Sequence, residues 1–573
     1  MIDSYHRMPL FARPQVIAIL SHALVSGGRY MFRVSNLEKY FGEQLLFHNA
    51  SFVVSRGEKV GIVGPNGSGK TTLLRTIAGQ IEWDDGSISL PAGLSVGYVA
   101  QNLLPDDDRL LGDFVAPNFF NAHRRMMDAA SELEHCHSAQ SADSALLLQY
   151  NLAVESFESA GGYLAENRFH SVIQEMGLDS LSAQRRLATL SGGQRTRAAL
   201  ARVLLQDAEL LLLDEPTNNL DLHSIQWLED FIRNSSATFM IVSHDRFFLD
   251  KTCTRILELD PLASSIESYS GNYTWYKIRK DAERVRVERQ FKEQQEKIKQ
   301  LTNDVREVKE QACRTENSTV NDYLRGRSKK VAAKAKAREA RLTRILEKEK
   351  VEKPRDLESM RLNIAGRAQH RSPILRLENI SYAHDENFVF RNVSAELIGS
   401  ARVILSGKNG SGKSTLLKLI VQDLVPTSGE ILLKEGINVC YLPQNQESLP
   451  ENISMMEYFQ SIDNRQMSES SLRTFLHRFQ FSKNDAFKKI SSLSQGEKAK
   501  LLLASCMIES PDLLIMDEPT NHLDIPTIES LENALAGYTG TMIVVTHDRY
   551  FADKIAPHEI WQLENCQLSR ICV

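Results

Sequence analysis

The stretch GPNGSGKT, residues 64–71, recurs in the same chain as GKNGSGKS, residues 407–414. An apolar run at 59–63 precedes the first copy, and a stretch with helical character at 71–78 follows it. Glycines between a strand and a helix let backbone N–H groups converge on a phosphate at the helix N-terminus, where the helix dipole favours an anion. The sequence therefore predicts a phosphate-binding loop between a strand and a helix, twice in one chain.

Four further motifs recur in the same order after each loop. They are YVAQ (98–101) and YLPQ (441–444), LSGGQ (190–194) and LSQGE (493–497), LLLDEPTNNLD (211–221) and LIMDEPTNHLD (514–524), and VSHDRFF (242–248) and VTHDRYF (545–551). In both copies 31 residues separate the loop lysine from the glutamine, and 30 residues separate the first DE aspartate from the histidine. The chain is therefore two copies of one unit of roughly 200 residues with a connector between them.

The two loops carry the side chains that a nucleotide requires. Lys70 and Lys413 are expected to place a positive charge at the β- and γ-phosphates, and Thr71 and Ser414 to offer a hydroxyl to Mg²⁺. The residues expected to hold the phosphates are Gly64, Pro65, Asn66, Gly67, Ser68, Gly69, Lys70, Thr71, Thr72, Gly407, Lys408, Asn409, Gly410, Ser411, Gly412, Lys413, Ser414 and Thr415.

A pair of acids follows an apolar run in each copy. Asp214 and Asp517 end runs that are typical of a buried parallel strand whose carboxyl end faces a ligand, and they are expected to hold Mg²⁺ through water. Glu215 and Glu518 are expected to polarise the attacking water, because phosphoryl transfer needs mainly positioning and charge neutralisation. The alternative is that such acids only cap the next helix; the repeated phosphate loop favours catalysis.

His244 and His547 each follow another apolar strand, at 238–242 and 541–545. A lone histidine is usually structural, but both lie at the same distance from the acid pair, which indicates a contact with the γ-phosphate. LSGGQ precedes a predicted helix at 195–205, and its serine and glycine N–H groups predict a second anion site. One unit needs only one such site, so this second site is expected to close on the nucleotide held by the other unit.

These motifs resemble those of the ATP-binding cassette (ABC) superfamily over about 400 residues. The resemblance implies an α/β fold with two P-loop NTPase nucleotide-binding domains, packed head to tail with two ATP molecules between them. It implies Q-loops at Gln101 and Gln444, which contact the Mg²⁺, and D-loops at Asp221 and Asp524. It also implies an adenine-stacking aromatic before each P-loop, for which Phe41 and Tyr382 are the candidates, with Tyr40 as a rival.

The resemblance further implies that each signature motif contacts the ATP of the opposite cassette. The signature residues concerned are Ser191, Gly193, Gln194, Ser494, Gly496 and Glu497. The second signature departs from the family pattern, because Gln495 stands at the first glycine. We therefore expect the two composite sites to be unequal.

The connector is the most basic part of the chain. Residues 275–353 contain 24 Lys/Arg and 14 Asp/Glu, a net of +10, whereas the whole chain is at −5. Two helical runs are predicted, at 274–312 and 328–350, around a polar break at 314–327. Such a charge favours a contact with a phosphate backbone, although an exposed coiled hairpin is the alternative. The candidate RNA-binding residues are Arg325, Arg327, Lys329, Lys330, Lys334 and Lys336.

Two cassettes in tandem with a basic helical linker resemble the ABC-F proteins, which act on ribosomes. That resemblance implies an ATP hydrolase whose linker enters the exit-tRNA site, and which modulates translation or protects from ribosome-targeting antibiotics. It also implies a cytoplasmic monomer with an intramolecular cassette sandwich. The runner-up is the ATP-binding subunit of an ABC membrane transporter, and a DNA-associated ATPase is a weaker third possibility.

The expected domains are an extension at 1–30 (disordered, or an over-extended reading frame), a first cassette at 31–268, a linker at 269–360 and a second cassette at 372–573. A helical, arm-like insert is expected at about 102–150. No apolar run reaches the roughly 20 residues that a membrane-spanning helix needs. The seven cysteines show no CxxC pair, which favours free thiols in a reducing compartment.

Overall fold

The computed structural model describes residues 30–42, 44–100, 108–137, 144–179, 181–218, 220–317, scattered positions between 333 and 344, and then 372–384, 387–444, 449–462, 467–482 and 485–573. The chain divides into two compact units. One contains both cassettes (1–273 and 360–573), and the other contains the linker (274–359). The expected extension before residue 30 and the expected linker tip after residue 317 lie outside the described residues.

The described residues of the first cassette form nine strands. They are β1 (Tyr30–Phe41), β2 (Gln44–Ser55), β3 (Lys59–Val63), β4 (Asp85–Ser89), β5 (Val96–Val99), β6 (Leu210–Asp214), β7 (Thr238–Val242), β8 (Arg255–Asp260) and β9 (Ser265–Ser270). Its helices are α1 (Lys70–Ile77), α2 (Leu111–Val115), α3 (Pro117–His137), α4 (Ser144–Ser159), α5 (Gly162–Glu175), α6 (Gly192–Leu205), α7 (Leu222–Asn234) and α8 (Arg246–Thr252).

The linker unit begins within the long helix α9 (Tyr273–Asn317). At 1.5 Å per residue, its 45 residues span about 68 Å. The helix runs past the predicted end at residue 312, because the stretch contains no proline or glycine and polar residues alone do not end a helix. Ion pairs at i and i+4 support its exposed face, including Arg284–Glu288 and Arg306–Glu310.

The second cassette repeats the first. Its strands are β10 (Pro373–His384), β11 (Asn387–Ile398), β12 (Arg402–Ser406), β13 (Ser428–Leu433), β14 (Val439–Leu442), β15 (Leu513–Asp517), β16 (Thr541–Val545), β17 (Glu559–Glu564) and β18 (Gln567–Cys572). Its helices are α10 (Lys413–Ile420), α11 (Met455–Ile462), α12 (Glu469–His477), α13 (Gln495–Glu509), α14 (Ile525–Ala536) and α15 (Arg549–Ile555).

Each cassette is built on a six-stranded sheet with the same strand order. The orders are β5-β6-β7-β3-β8-β9 and β14-β15-β16-β12-β17-β18, parallel except for the last strand of each. The central strands are buried over their whole length, which explains their continuous apolar sequence. The phosphate loop follows β3 or β12, so the carboxyl ends of the neighbouring strands deliver the acid pair and the histidine to the same edge. The predicted α/β class with two cassettes and a long linker helix is confirmed.

A smaller three-stranded antiparallel sheet covers each core, in the orders β2-β1-β4 and β11-β10-β13. Both are hairpins with a third strand, and the hairpin residues Phe32 and Phe390 are fully buried against the P-loop helix layer. The inserted helices α3 and α4 of the first cassette have a small core of their own around Phe119 and Phe157. Within the described part of the chain, no helix is both apolar and long enough to cross a membrane.

One cysteine pair differs from the expectation of free thiols. Cys440 on β14 and Cys506 on α13 form a disulfide across the buried core of the second cassette. Absence of a CxxC pair did not exclude this bond, because residues 66 positions apart become neighbours only when the helix packs on the sheet. Among the described residues Cys253, Cys566 and Cys572 are free.

Candidate active site

Each phosphate loop is held by its own lysine. The Lys70 ammonium donates to the carbonyl oxygens of Gly64 and Pro65 at 2.8 and 3.0 Å. Lys413 repeats this arrangement on its own loop. Gly69, with φ 91°, precedes helix α1 in the left-handed region, which a side chain would strain. Both lysines are therefore buried at the N-terminus of a helix, where they are positioned for phosphate oxygens.

The acid pair lies at the carboxyl end of β6 and β15. Glu215 and Glu518 both have positive φ, 52° and 51°, a backbone conformation that is uncommon for a glutamate and costs energy. In this backbone conformation, each glutamate side chain points towards the histidine that follows the neighbouring strand. Burial raises the pKa of Glu215 and of Glu518 to about 8. A carboxylate in such a site accepts a proton far more readily than one in water.

The two histidines sit directly against these glutamates. His244 Nε2 lies 3.3 Å from Glu215 Oε1, and its backbone N–H donates to Glu215 Oε2 at 3.2 Å. His547 Nε2 lies 3.3 Å from Glu518 Oε1. Burial and the nearby Lys70 charge lower the pKa of His244 to about 3, and burial with Lys413 lowers that of His547 to about 4. Both rings are therefore neutral at pH 7, so each can donate one hydrogen bond without adding charge.

The two cassettes meet at the phosphate loops. The Asn66 backbone N–H donates to Asp524 Oδ2 at 3.0 Å, and its side-chain amide donates to the carbonyl of His522 at 3.0 Å. In the opposite direction, the Asn409 N–H donates to Asp221 Oδ2 at 3.2 Å. Each D-loop aspartate thus binds the phosphate loop of the other cassette, as a head-to-tail sandwich requires.

The second signature motif also lies at the first phosphate loop. A Cβ on Gly496 would come within 2.7 Å of the Asn66 side-chain amide and 3.1 Å of the His522 carbonyl oxygen, so a larger residue there would displace the Asn66 side chain. The neighbouring Gln495 is exposed at the first turn of α13. Gln495, by which the second signature departs from the family pattern, therefore lies at the edge of the first composite site.

The remaining signature side chains cap their own helices. Ser191 accepts the Gln194 N–H at 3.3 Å, and the Gln194 side chain accepts the Ser191 N–H at 3.0 Å. Ser494 and Glu497 form the same capping box. This reciprocal cap explains why α6 begins at Gly192, earlier than the predicted 195. The Gly193 N–H lies in that first turn.

The predicted adenine-stacking aromatics do not occupy equivalent positions. Phe41 ends β1 and is 73% exposed, whereas Tyr382 is partly buried against the second core and lies 6.3 Å from the Phe390 ring. The hairpins share one register, in which Phe41 faces Gln44 and His384 faces Asn387. His384 is thus the counterpart of Phe41, a match that the common 343-residue offset between the two phosphate loops already indicates.

Of the other predicted site residues, some lie in the described part of the chain and some lie outside it. Gln444 is exposed just after β14, and Gln101 lies outside the described residues. Lys336 is an exposed helical residue, while the other predicted RNA-binding residues lie outside the described part. Those residues are Arg325, Arg327, Lys329, Lys330 and Lys334.

The donors at each site suit Mg²⁺ bound together with a nucleotide. Burial raises the pKa of Asp214, and the Thr71 hydroxyl and Lys70 charge beside it act in the opposite direction. Asp517 stands in the same way beside Ser414, and its Oδ2 is buried without a hydrogen-bond partner in the described part of the chain. One hydroxyl and one carboxylate leave the other positions around a hard cation to phosphate oxygens and water. Such a pair of oxygen donors fits Mg²⁺.

The comparisons with known proteins agree with this geometry. A family model described as ABC transporter matches residues 47–218 and 390–521, and a second with the same description matches 262–364. The chain belongs to the ATP-binding cassette superfamily and is an ATPase. Its relatives and its tandem organisation then place it in the ABC-F subfamily.

Among the relatives is the putative ATP-binding protein YdiF of Bacillus subtilis, 33% identical over 92% of this chain and 79% of the relative. ABC transporter F family member 5 of Arabidopsis thaliana is 33% identical over 93% of this chain and 75% of its own. A crystal structure of archaeal ribosome recycling factor aABCE1 with ribosomal stalk protein aP1 matches with a TM-score of 0.56 and 17% identity, over 92% of this chain and 87% of that one. That last likeness shows the fold alone.

Sequence reasoning missed one set of residues at the cassette interface. Arg246 forms a buried ion pair with Glu532, and Arg549 pairs with Glu229 at 3.3 Å. Both arginines follow the repeated HD dipeptide, so the recurrence of HDR was a usable signal. The glutamates lie in helices without a motif, and nothing in the sequence pointed to them.

Proposed function

We propose that this chain is a ribosome-associated ATPase of the cytoplasm that modulates translation or protects the ribosome from antibiotics. The observation that carries the proposal is the net charge of +10 on residues 275–353, inserted between two cassettes whose remaining sequence is acidic. The phosphate backbones of rRNA and tRNA neutralise the positive charge of such a segment. Membership of the ABC-F subfamily supports the same assignment, with the linker acting at the exit-tRNA site.

In this proposal ATP holds the cassettes together and the linker engages RNA until hydrolysis releases the protein. Lys70 and Lys413 bind the β- and γ-phosphates, while Thr71 with Asp214 and Ser414 with Asp517 hold Mg²⁺, which supplies charge neutralisation when it is bound. Glu215 and Glu518, once ionised, accept a proton from the attacking water, and the raised pKa of both carboxyls makes the ionised form a stronger base. His244 and His547 donate to the γ-phosphate as neutral rings.

The test is a double variant, Glu215→Gln with Glu518→Gln. We expect it to bind ATP, to hydrolyse it at least about a hundredfold more slowly, and to sediment with ribosomes when ATP is present. The matched control is the same variant with ADP, which should remain at the top of the gradient. A double variant that stays free of ribosomes in ATP would refute the ribosomal proposal.

The second candidate function is the ATP-binding subunit of a membrane transporter. The observation in its favour is the match of both cassettes to the family model described as ABC transporter. Such a subunit would need membrane partners encoded nearby, and it would copurify with membranes rather than with ribosomes. The basic linker has no role in that assignment, so we rank it second.

A further inference from the structure

A second set of contacts joins the two cassettes behind the phosphate loops. Helix α14 of the second cassette begins at its N-cap Asp524, which accepts the N–H of Asn66 on the first phosphate loop. Two turns later the same helix presents Glu532, which binds Arg246 of the first cassette. One helix of the second cassette is therefore attached to the first cassette at two points.

Arg246 lies two residues after the histidine of the first site. It is the first residue of α8, whose N-cap Asp245 accepts the N–H of Phe248 at 3.0 Å. Arg246 Nη1 lies 3.2 Å from Glu532 Oε2, and its Nη2 bonds the other carboxylate oxygen, so the pair is bidentate. Arg246 and Glu532 are only 7% and 5% exposed. A bidentate, buried Arg–carboxylate pair defines both distance and orientation.

The side chains around Arg246 pack against residues of the second cassette. The Arg246 guanidinium lies over the Tyr550 ring at 5.1 Å, and Tyr550 in turn packs against Phe247 at 6.1 Å between ring centroids. From the second cassette, the Arg549 guanidinium lies over the Phe247 ring, 4.2 Å from the ring centroid. These interdigitated side chains make the segment after each histidine part of the cassette interface.

The mirror pair is looser. Arg549 Nη1 lies 3.3 Å from Glu229 Oε1 on α7, with 22% and 9% of the two side chains exposed. Helix α7 begins at Asp221, which binds Asn409 of the second phosphate loop. The second site thus has the same two-point attachment, but with a more exposed ion pair.

We propose that Arg246 and Glu532 are positioning residues for ATP hydrolysis at the first composite site. By attaching α14 both to the phosphate loop and to the segment after His244, the pair sets the histidine and Glu215 against the γ-phosphate when the D-loop of the second cassette is engaged. Arg549 and Glu229 do the same for the second site. The inference concerns hydrolysis in the free protein, and it stands whether or not the ribosomal proposal does.

The test isolates one site at a time. In a Glu518→Gln background only the first site hydrolyses ATP, and in a Glu215→Gln background only the second does. We expect Arg246→Gln to lower kcat roughly tenfold or more in the first background, because a small misplacement of reacting groups is costly. We expect KM for ATP to change less than about twofold there, and kcat in the second background to fall much less.

Matched variants separate positioning from loss of structure. Arg549→Gln should show the mirrored pattern, and Arg233→Gln, which removes an exposed arginine paired with Asp230, should change neither site. The charge exchange Arg246→Glu with Glu532→Arg should recover part of the lost kcat. Circular dichroism and thermal melting identify any variant that fails to fold, and in that case Glu532→Gln replaces Arg246→Gln.

Two results would overturn the inference. If Arg246→Gln lowers kcat equally in both backgrounds, the pair is structural and has no preference for one site. If KM rises while kcat is unchanged, the pair contributes to nucleotide binding instead of to positioning. Neither result bears on ribosome sedimentation of the double glutamate variant, so failure here is distinguishable from failure of the proposed function.

Discussion

At the scale of single residues, the glutamates after β6 and β15 have two features that cost free energy of folding. Each combines positive φ with an ionisable carboxyl that is largely removed from solvent. Both features destabilise the free protein, and both are present in the two cassettes alike. Such a cost at matching positions indicates that the sites were selected for chemistry and not for stability.

This cost predicts a pH-dependent stability. The folded-state pKa of Glu215 and Glu518 is raised to about 8, so the folded chain retains protons that the unfolded chain releases above about pH 4.5. The contribution of these two glutamates to stability is therefore lost as pH rises through that window. We expect Glu215→Gln with Glu518→Gln to raise the free energy of unfolding by roughly 4 kcal/mol per site at pH 8, and by little at pH 4.5.

The measurement is thermal melting of nucleotide-free protein between pH 4.5 and pH 8. The control is Glu209→Gln, which changes an exposed carboxylate that pairs with Arg56 at 3.9 Å. A melting-temperature gain that is the same at every pH would contradict the argument, since it would reflect packing or backbone strain instead of proton linkage.

At the scale of elements, the two cassettes differ in the contact between the signature helix and the central sheet. Gly97 on β5 faces Val203 on α6, and a Cβ on this glycine would lie only 2.9 Å from the valine methyl. At the equivalent positions of the second cassette, Cys440 and Cys506 form the disulfide. One contact between the signature helix and the sheet is thus apolar, and its counterpart is covalent.

The disulfide predicts a stability difference between oxidised and reduced protein. In the loop-entropy description, a cross-link between residues 66 apart stabilises by about 4 kcal/mol. We expect reduction, or Cys440→Ala, to lower the melting temperature of the second cassette and to leave that of the first unchanged. Cys566→Ser, at an exposed free thiol, is the control.

Peptide mapping without reductant should identify the Cys440–Cys506 pair directly. Protein purified without reductant in which all seven cysteines react with an alkylating agent would show that the bond does not form. The buried position of both sulfurs makes such a bond slow to reduce once the cassette has folded.

At the scale of the whole molecule, the linker segment 275–353 carries a net charge of +10 within a chain whose total is −5. Neutralising Arg325, Arg327, Lys329 and Lys330 with glutamine should weaken binding to ribosomal RNA. If these residues contact phosphates, the slope of log affinity against log salt should fall in magnitude by up to about three. ATPase activity of the free protein should persist, because none of the changed residues belongs to a cassette.

The matched control removes charge from the first linker helix. Arg284→Gln with Arg306→Gln changes two arginines that are already paired with Glu288 and Glu310. We expect this control to alter the salt slope much less. An unchanged affinity and slope after neutralising these four linker residues would argue against a role of the linker in RNA binding.

The sequence by itself predicted the α/β fold class, the two cassettes with a linker between them and the candidate residues of each nucleotide site. Buried parallel strands and phosphate loops need continuous local patterns, and the internal repeat presented each pattern twice. The sequence also predicted that each signature motif faces the other cassette, because a second anion site is surplus within one copy.

Only the tertiary structure decided the contacts between distant residues. It paired Arg246 with Glu532 and Cys440 with Cys506, and it revealed the positive φ of both glutamates. The physical reason is that these features depend on which helix faces lie together and on how a turn is closed. No local period or spacing carries that information, so it appears only in the folded chain.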